Sequence, residues 1–171
     1  MQLSRLIRNR RGSAAVEFAL IFPVVMLLYY GMAEGTQALL ANRRVGFIAT
    51  GVGDLAAQRT QLNKAQIADI FNISVAALKP FPTEQLGMRL TSIEINANGV
   101  PTQRWTQAHG AAVGDANFSD ITETTVGAAF IRAETIYTYQ TPFGRIFPTA
   151  FTFKHKMDLR PRGGVAVVLL D

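Results

Sequence analysis

Residues 13–33 are almost wholly Ala, Val, Leu, Ile, Phe, Met and Tyr, and Glu17 is the single charge among them. A helix that is apolar on every side must be enclosed by protein or by lipid. At about 1.5 Å per residue the run rises about 30 Å, the thickness of one hydrocarbon core. The pattern therefore predicts a transmembrane helix at 13–35. Beyond it the periodicity changes: Ala41, Val45, Ile48, Val52 and Leu55 recur in steps of four and three, one stripe of an amphipathic continuation at 36–60. Gly46, Gly51 and Gly53 each weaken that continuation by roughly 1 kcal/mol relative to Ala, so a bend or fraying is expected near 50–54.

The remaining residues, 61–171, change period twice. Asn63 with Gln66 three positions on has the form of a capping pair, and Ile67, Ile70, Phe71, Val75 and Leu78 follow on one helical face until Pro80 and Pro82 end it. Strands are expected at 86–95, at 100–107 after an Asn98-Gly99 turn, at 130–140, and at 151–160. The last alternates most cleanly, Phe151, Phe153, His155, Met157 and Leu159 against Thr152, Lys154, Lys156, Asp158 and Arg160, the pattern of a half-buried strand. Residues 108–127 have no sustained period and are expected to form a long, mobile surface loop. The apolar stretch 165–170 is too short to span a membrane and suits a terminal strand or a plug under the sheet. The fold class is α+β: a long N-terminal helix, a short second helix, and an antiparallel sheet of about four strands packed on the helix.

Charge alters this picture only at one end. Arg5, Arg8, Arg10 and Arg11 lie in the first twelve positions, and beyond them 13 Lys and Arg face 12 Asp and Glu, so the net charge of +5 is mostly a basic tip. A body so nearly neutral is a poor phosphate-binding surface, which argues against nucleic acid as a partner. The four arginines instead act as a topology signal, favouring a cytoplasmic N-terminus and a domain on the outer side. Cysteine is absent, which removes disulfides, thiolate nucleophiles and Cys-based zinc sites.

No string with the spacing of a hydrolase elbow, a phosphate loop, a dinucleotide fingerprint or a zinc protease is present. His109 and His155 are not paired with ligand-type residues, and His155 is expected to be a core histidine with one hydrogen bond. Arg132 and Glu134 share a strand face and are expected to form a surface ion pair. Trp105, Tyr137, Tyr139, Phe143 and Phe147 suit either a packed core or a binding patch. Neither an enzyme activity, a metal nor a cofactor is expected.

The informative string is Arg10-Arg11-Gly12-Ser13-Ala14-Ala15-Val16-Glu17-Phe18, a basic leader, a glycine, and an acid five positions later inside an apolar helix. A charge deep in a bilayer costs about 2.5 to 3.5 kcal/mol, so Glu17 either snorkels to the headgroups or has a partner. Cutting between Gly12 and Ser13 would create one, because it frees an α-amine and removes the basic leader 1–12. In a low-dielectric assembly Glu17 could then pair with the amine of a neighbouring subunit. Gly12 suits the cut position, since it offers no side chain to obstruct an extended chain in a protease cleft. Pro23 removes a helical hydrogen bond and is either a tolerated membrane-helix proline or an aid to local unwinding. Gly31 and Gly35 form a G-x-x-x-G pair that either allows close helix packing or is incidental.

Residues 10–58, with Gly12, Glu17, Phe18 and Pro23, resemble the TadE-like family, the minor pilins or pseudopilins of tight-adherence (Tad, Flp-type, type IVc) pili. The layout that follows, a short helix ending in proline and a β-rich tail with aromatics from Tyr137 to Phe147, is similar to the family as well. The resemblance implies a pilin-like fold, cleavage between Gly12 and Ser13 by the system's aspartyl prepilin peptidase, and assembly roles for Glu17, Phe18 and Pro23. Its implied partners are other pilins and minor pilins, the peptidase and the inner-membrane assembly platform. The implied place is the inner membrane, single-pass, with a periplasmic C-terminal domain, and the extracellular pilus after processing. Ser13 stands where ordinary type IV pilins carry Phe, a departure that bears on methylation of the new N-terminus. Two other classes remain open from sequence. One is a secretory signal cut after Gly31-Met32-Ala33 that releases a periplasmic binding domain, and the other is an uncut signal anchor carrying an envelope enzyme or receptor.

Overall fold

The computed structural model describes residues 12–141 and 150–170. The described residues fall into two compact units, divided between Leu39 and Leu40. One helix, α1 (Ser13–Ala57), contributes to both and passes through Pro23 without a break.

In the second unit α1 buries Ala41, Val45, Ile48, Ala49, Val52, Gly53, Ala56 and Ala57. The predicted stripe is thus present up to Val52, but its last member, Leu55, is 38% exposed and Ala56 takes the buried position. The fraying expected near 50–54 as one outcome does not occur, and the helix continues unbroken to Ala57. Tertiary packing explains the difference. A Cβ on Gly53 would lie 2.5 Å from Leu159 Cδ1 and 3.2 Å from Ala133 Cβ, so the glycine brings α1 hard against the sheet. Packing of this kind outweighs a propensity deficit of roughly 1 kcal/mol.

The short strand β1 (Gln61–Asn63) leads into α2 (Lys64–Ala76). Asn63 caps that helix as predicted: its side chain accepts from the Gln66 amide at 2.8 Å, and the Gln66 side chain accepts from the Asn63 amide at 3.0 Å. Ile67, Ile70 and Phe71 turn inward, and Phe71 stacks on His109 with ring centroids 5.7 Å apart. At the other end of α2, the Arg44 guanidinium of α1 donates to the carbonyls of Ala77 and Lys79, satisfying groups that a helix end leaves free.

Four strands form one antiparallel sheet: β2 (Leu86–Ile95), β3 (Pro101–Gly110), β4 (Ala129–Gln140) and β5 (Ala150–Leu159), in the order β3-β2-β4-β5. All four lie close to their expected positions. Residues Leu86, Met88 and Leu90 of β2 register with Tyr137, Thr135 and Ala133 of β4, and this row faces the helices. Thr135 donates to the Val45 carbonyl of α1 at 3.3 Å, and His155 of β5 pairs with Asn42 Oδ1 at 2.7 Å, so the expected hydrogen bond is present although the histidine is half-buried and not core. As an edge strand, β5 is less covered than its alternation implied. Phe151 and Met157 of its apolar row are 46% and 39% exposed. The chain closes with β6 (Val168–Leu170), parallel to β1, while the buried Val167 carbonyl accepts from Ser92 Oγ at 3.1 Å and Trp105 Nε1 at 2.7 Å. The tail is both terminal strand and plug, and Trp105 is core.

The opposite face of the sheet is crossed by residues 111–128. The sequence predicted a mobile loop here, and the structure fastens it with cations from three strands. Arg89 donates to the carbonyls of Gly114 and Asp115, and Arg132 to the Asn117 carbonyl and to both oxygens of Asp120, at 2.9 and 3.0 Å. Lys156 also pairs with Asp120, and Arg160 meets Glu123 at 2.8 Å. The expected Arg132–Glu134 pair does not form. Each takes a partner on a neighbouring strand instead, Glu134 with Arg89 and Arg132 with Asp158, because cross-strand neighbours lie closer in reach than i, i+2 positions. The hydrogen bond from Lys156, then that from Arg132, lowers the Asp120 carboxyl to about 2. Burial disfavours the Arg132 cation, yet its bonds to Asp158 and Asp120 hold its pKa above the usual value.

Candidate functional site: the N-terminal apolar helix

The first unit is the described N-terminal part of α1, and most of its apolar side chains are exposed. Val16, Phe18, Leu20, Ile21, Phe22, Val24, Val25, Leu27, Leu28, Tyr29, Tyr30 and Met32 are all exposed. This is the one described helix long and apolar enough to cross a membrane. Exposed aliphatic and aromatic area on this scale, on all sides, requires an apolar medium or partner helices.

The residues singled out from sequence occupy distinct positions on it. Gly12 immediately precedes the helix, with no atom within 4 Å of where its Cβ would stand. Ser13 opens the helix, and its hydroxyl donates to Glu17 Oε1 at 3.0 Å, one turn further on. These two are brought together. Phe18 packs against Phe22 with the rings tilted by 40° and their centroids 5.5 Å apart, an aromatic pair not singled out from sequence although the i, i+4 spacing signals it. Pro23 lies within the continuous helix. Gly31 and Gly35 are one turn apart with nothing near either, so the G-x-x-x-G face is open. Between them in sequence, Met32 accepts from the Thr36 hydroxyl at 2.8 Å. The topology residues Arg5, Arg8, Arg10 and Arg11, like the aromatics Phe143 and Phe147, lie outside the described residues.

The first unit carries two carboxylates, Glu17 within the apolar run and Glu34 just beyond it, and among the described residues no group of three or more His, Asp or Glu is placed to hold a metal ion. Against this geometry, residues 12–50 match a family model described as TadE-like protein. The chain carries a TadE-like N-terminal region. The match begins at Gly12, takes in Glu17, Phe18, Pro23, Gly31 and Gly35, and ends inside the part of α1 that packs on the sheet. The TadE-like region thus includes both the exposed apolar helix and the start of its buried stripe. Among the described residues that helix is the one compatible with single-pass membrane anchoring. No curated protein and no solved structure gives a significant match.

Proposed function

We propose that this chain is a minor pilin or pseudopilin of a Tad pilus, a non-enzymatic subunit anchored in the inner membrane with its C-terminal domain on the periplasmic side. A prepilin peptidase would cut between Gly12 and Ser13. The freed subunit would then take part in pilus biogenesis, in priming or tip assembly, and in surface adhesion. One observation carries the reading: the TadE-like match starts at Gly12 and covers an exposed apolar run, residues 13–33, whose one acid stands five positions after that glycine.

The physical sequence of events follows from the helix. While the leader is present, four arginines hold one end at the cytoplasmic surface. Cleavage removes them and leaves an α-ammonium group at Ser13. A helix with no remaining anchor charge can pass sideways from lipid into a bundle of like helices, where its open Gly31 and Gly35 face permits close approach. There Glu17 and the ammonium of a neighbour neutralise each other. Other pilins, the peptidase and the assembly platform are the partners this scheme requires.

N-terminal sequencing of protein from cells tests the reading directly. Ser13 as the first residue supports it. A start at Glu34 indicates a secretory signal, and an intact start indicates an uncut anchor. A side chain at the cut position must also fit the peptidase cleft, so Gly12→Leu should accumulate in the membrane as a form about twelve residues longer.

A further inference from the structure

We propose that Ser13 is a positioning residue for Glu17: its hydroxyl is the carboxylate's counter-group on its own helix while the subunit stands alone in lipid. This rests on the reading that the N-terminal part of α1 lies in a bilayer, and it assigns Ser13 a role beyond marking the cut. The Oγ to Oε1 distance is 3.0 Å, and the two residues are one turn apart. On a helix the side chains able to reach Glu17 sit three or four positions away, at Ser13, Ala14, Leu20 and Ile21. Of these, Ser13 alone carries a donor. The amides beyond the first turn are engaged in the helix, and the Ser13 hydroxyl is the donor that the carboxylate takes.

The consequence is a division of labour in time. Before assembly, the hydroxyl reduces the cost of holding a carboxylate in an apolar medium and keeps it turned toward the helix start. After cleavage the same residue bears the free ammonium. The carboxylate is then already directed toward the end of the helix at which a partner's amine must arrive. A phenylalanine at this position would pack well but would leave Glu17 without its local donor.

The test uses the full chain and lipid vesicles that contain no peptidase and no other pilus protein, so its failure is separate from failure of the pilin reading. Insertion is read as the fraction resistant to alkaline extraction, in a background carrying Leu27→Ala and Leu28→Ala so that this fraction is intermediate. Ser13→Ala should lower the inserted-to-free ratio roughly three- to tenfold, Ser13→Thr should restore it, and Ser13→Ala should have no effect when Glu17→Ala is also present. A second measurement does not depend on insertion. The infrared carboxylate band of Glu17, assigned by difference from Glu17→Gln, should move in Ser13→Ala and return in Ser13→Thr. An equal loss of insertion with and without Glu17, or an unmoved band in Ser13→Ala, overturns the proposal. Failure of the chain with its native Ser13 and Glu17 to insert at all overturns both this proposal and the membrane-anchored reading on which it rests.

Discussion

Arg132 and Asp158 meet two on two: Nε donates to Oδ1 and Nη2 to Oδ2, each at 2.6 Å, and the guanidinium side chain has no solvent exposure. A buried cation is tolerated only when it is paired and its donors are filled. Here Asp158, Asp120 and the Asn117 carbonyl fill them, and Phe118 lies 5.7 Å from the guanidinium carbon. Asp158→Ala should therefore cost about 2 to 4 kcal/mol, less than a fully enclosed pair because the aspartate is partly exposed. Replacing both groups together, as Arg132→Met with Asp158→Leu, should cost less than Asp158→Ala alone. Denaturant midpoints of the detergent-solubilised chain check both, and additivity of the two changes would show that the pair is not coupled.

Asp120 gives the same network a pH signature. Its carboxyl lies at about 2 in the folded protein against an ordinary value of 3.8. A depressed folded value means a stabilising contribution that is present above the unfolded value and disappears as pH falls through the folded one. The difference in thermal midpoint between the native chain and Asp120→Asn should thus be constant above about pH 5 and close progressively from about pH 4 to 2. A difference that persists unchanged at the acid end would place the effect of Asp120 elsewhere than in its charge.

Gly51 and Gly53 sit two residues apart in one helix and should respond in opposite directions. Nothing lies within 4 Å of a Cβ added to Gly51, so Gly51→Ala should stabilise by about 0.5 to 1 kcal/mol through helix propensity. At Gly53 the added atom meets Leu159 and Ala133, and Gly53→Val should destabilise by about 1 to 3 kcal/mol as the helix is forced off the sheet. Thermal melts of the two variants decide it; two shifts of the same sign would contradict the close approach.

Glu17 lies five positions past the proposed cut, and its proposed assembly partner exists only after cutting. Glu17→Gln should be processed normally and remain in the membrane, with insertion unharmed because the charge is gone. Surface pili, or co-purification with other pilins, should fall by about tenfold or more, since an ammonium would be left without a counter-charge in a low-dielectric bundle. An immunoblot beside a count of pili in the same cells measures both. Native piliation in a fully processed variant would make Glu17 a passenger.

What could be read from the chain was local. The Asn63–Gln66 cap, the turn at Asn98-Gly99, and the strand that the alternation from Phe151 to Leu159 announces each declare themselves within a few residues and are present, although the apolar row of that strand is less buried than expected. The N-terminal string is local too, and its glycine-to-acid spacing is what the family match also covers. What escaped notice spans long distances. Arg132 was assigned to Glu134, two positions away, because its real partners stand 12 and 26 residues distant and meet it only once strand order is known. The same holds for Arg89 and for the Arg44 grip on the end of α2, since a lone arginine carries no mark of which carbonyl it will find. The bond from Ser13 to Glu17 is local as well, since a hydroxyl and a carboxylate at i, i+4 spacing share one helix face.

The strap across the sheet is gripped at Gly114, Asp115 and Asn117 through main-chain carbonyls. Every amino acid offers that carbonyl, so the arginines recognise the path of the loop and are indifferent to most of the side chains on it. Related chains can then diverge freely in the outward-facing residues of 111–119 while keeping Arg89, Arg132 and the spacing to Asp120. An ordinary surface loop tolerates insertions more readily than its scaffold tolerates substitutions. Here the main-chain grip fixes the path and length of the strap, while side-chain identity is constrained where the backbone or Arg132 demands it, at Gly114 with its φ of +88° and at Phe118, and is left open at the exposed positions between them.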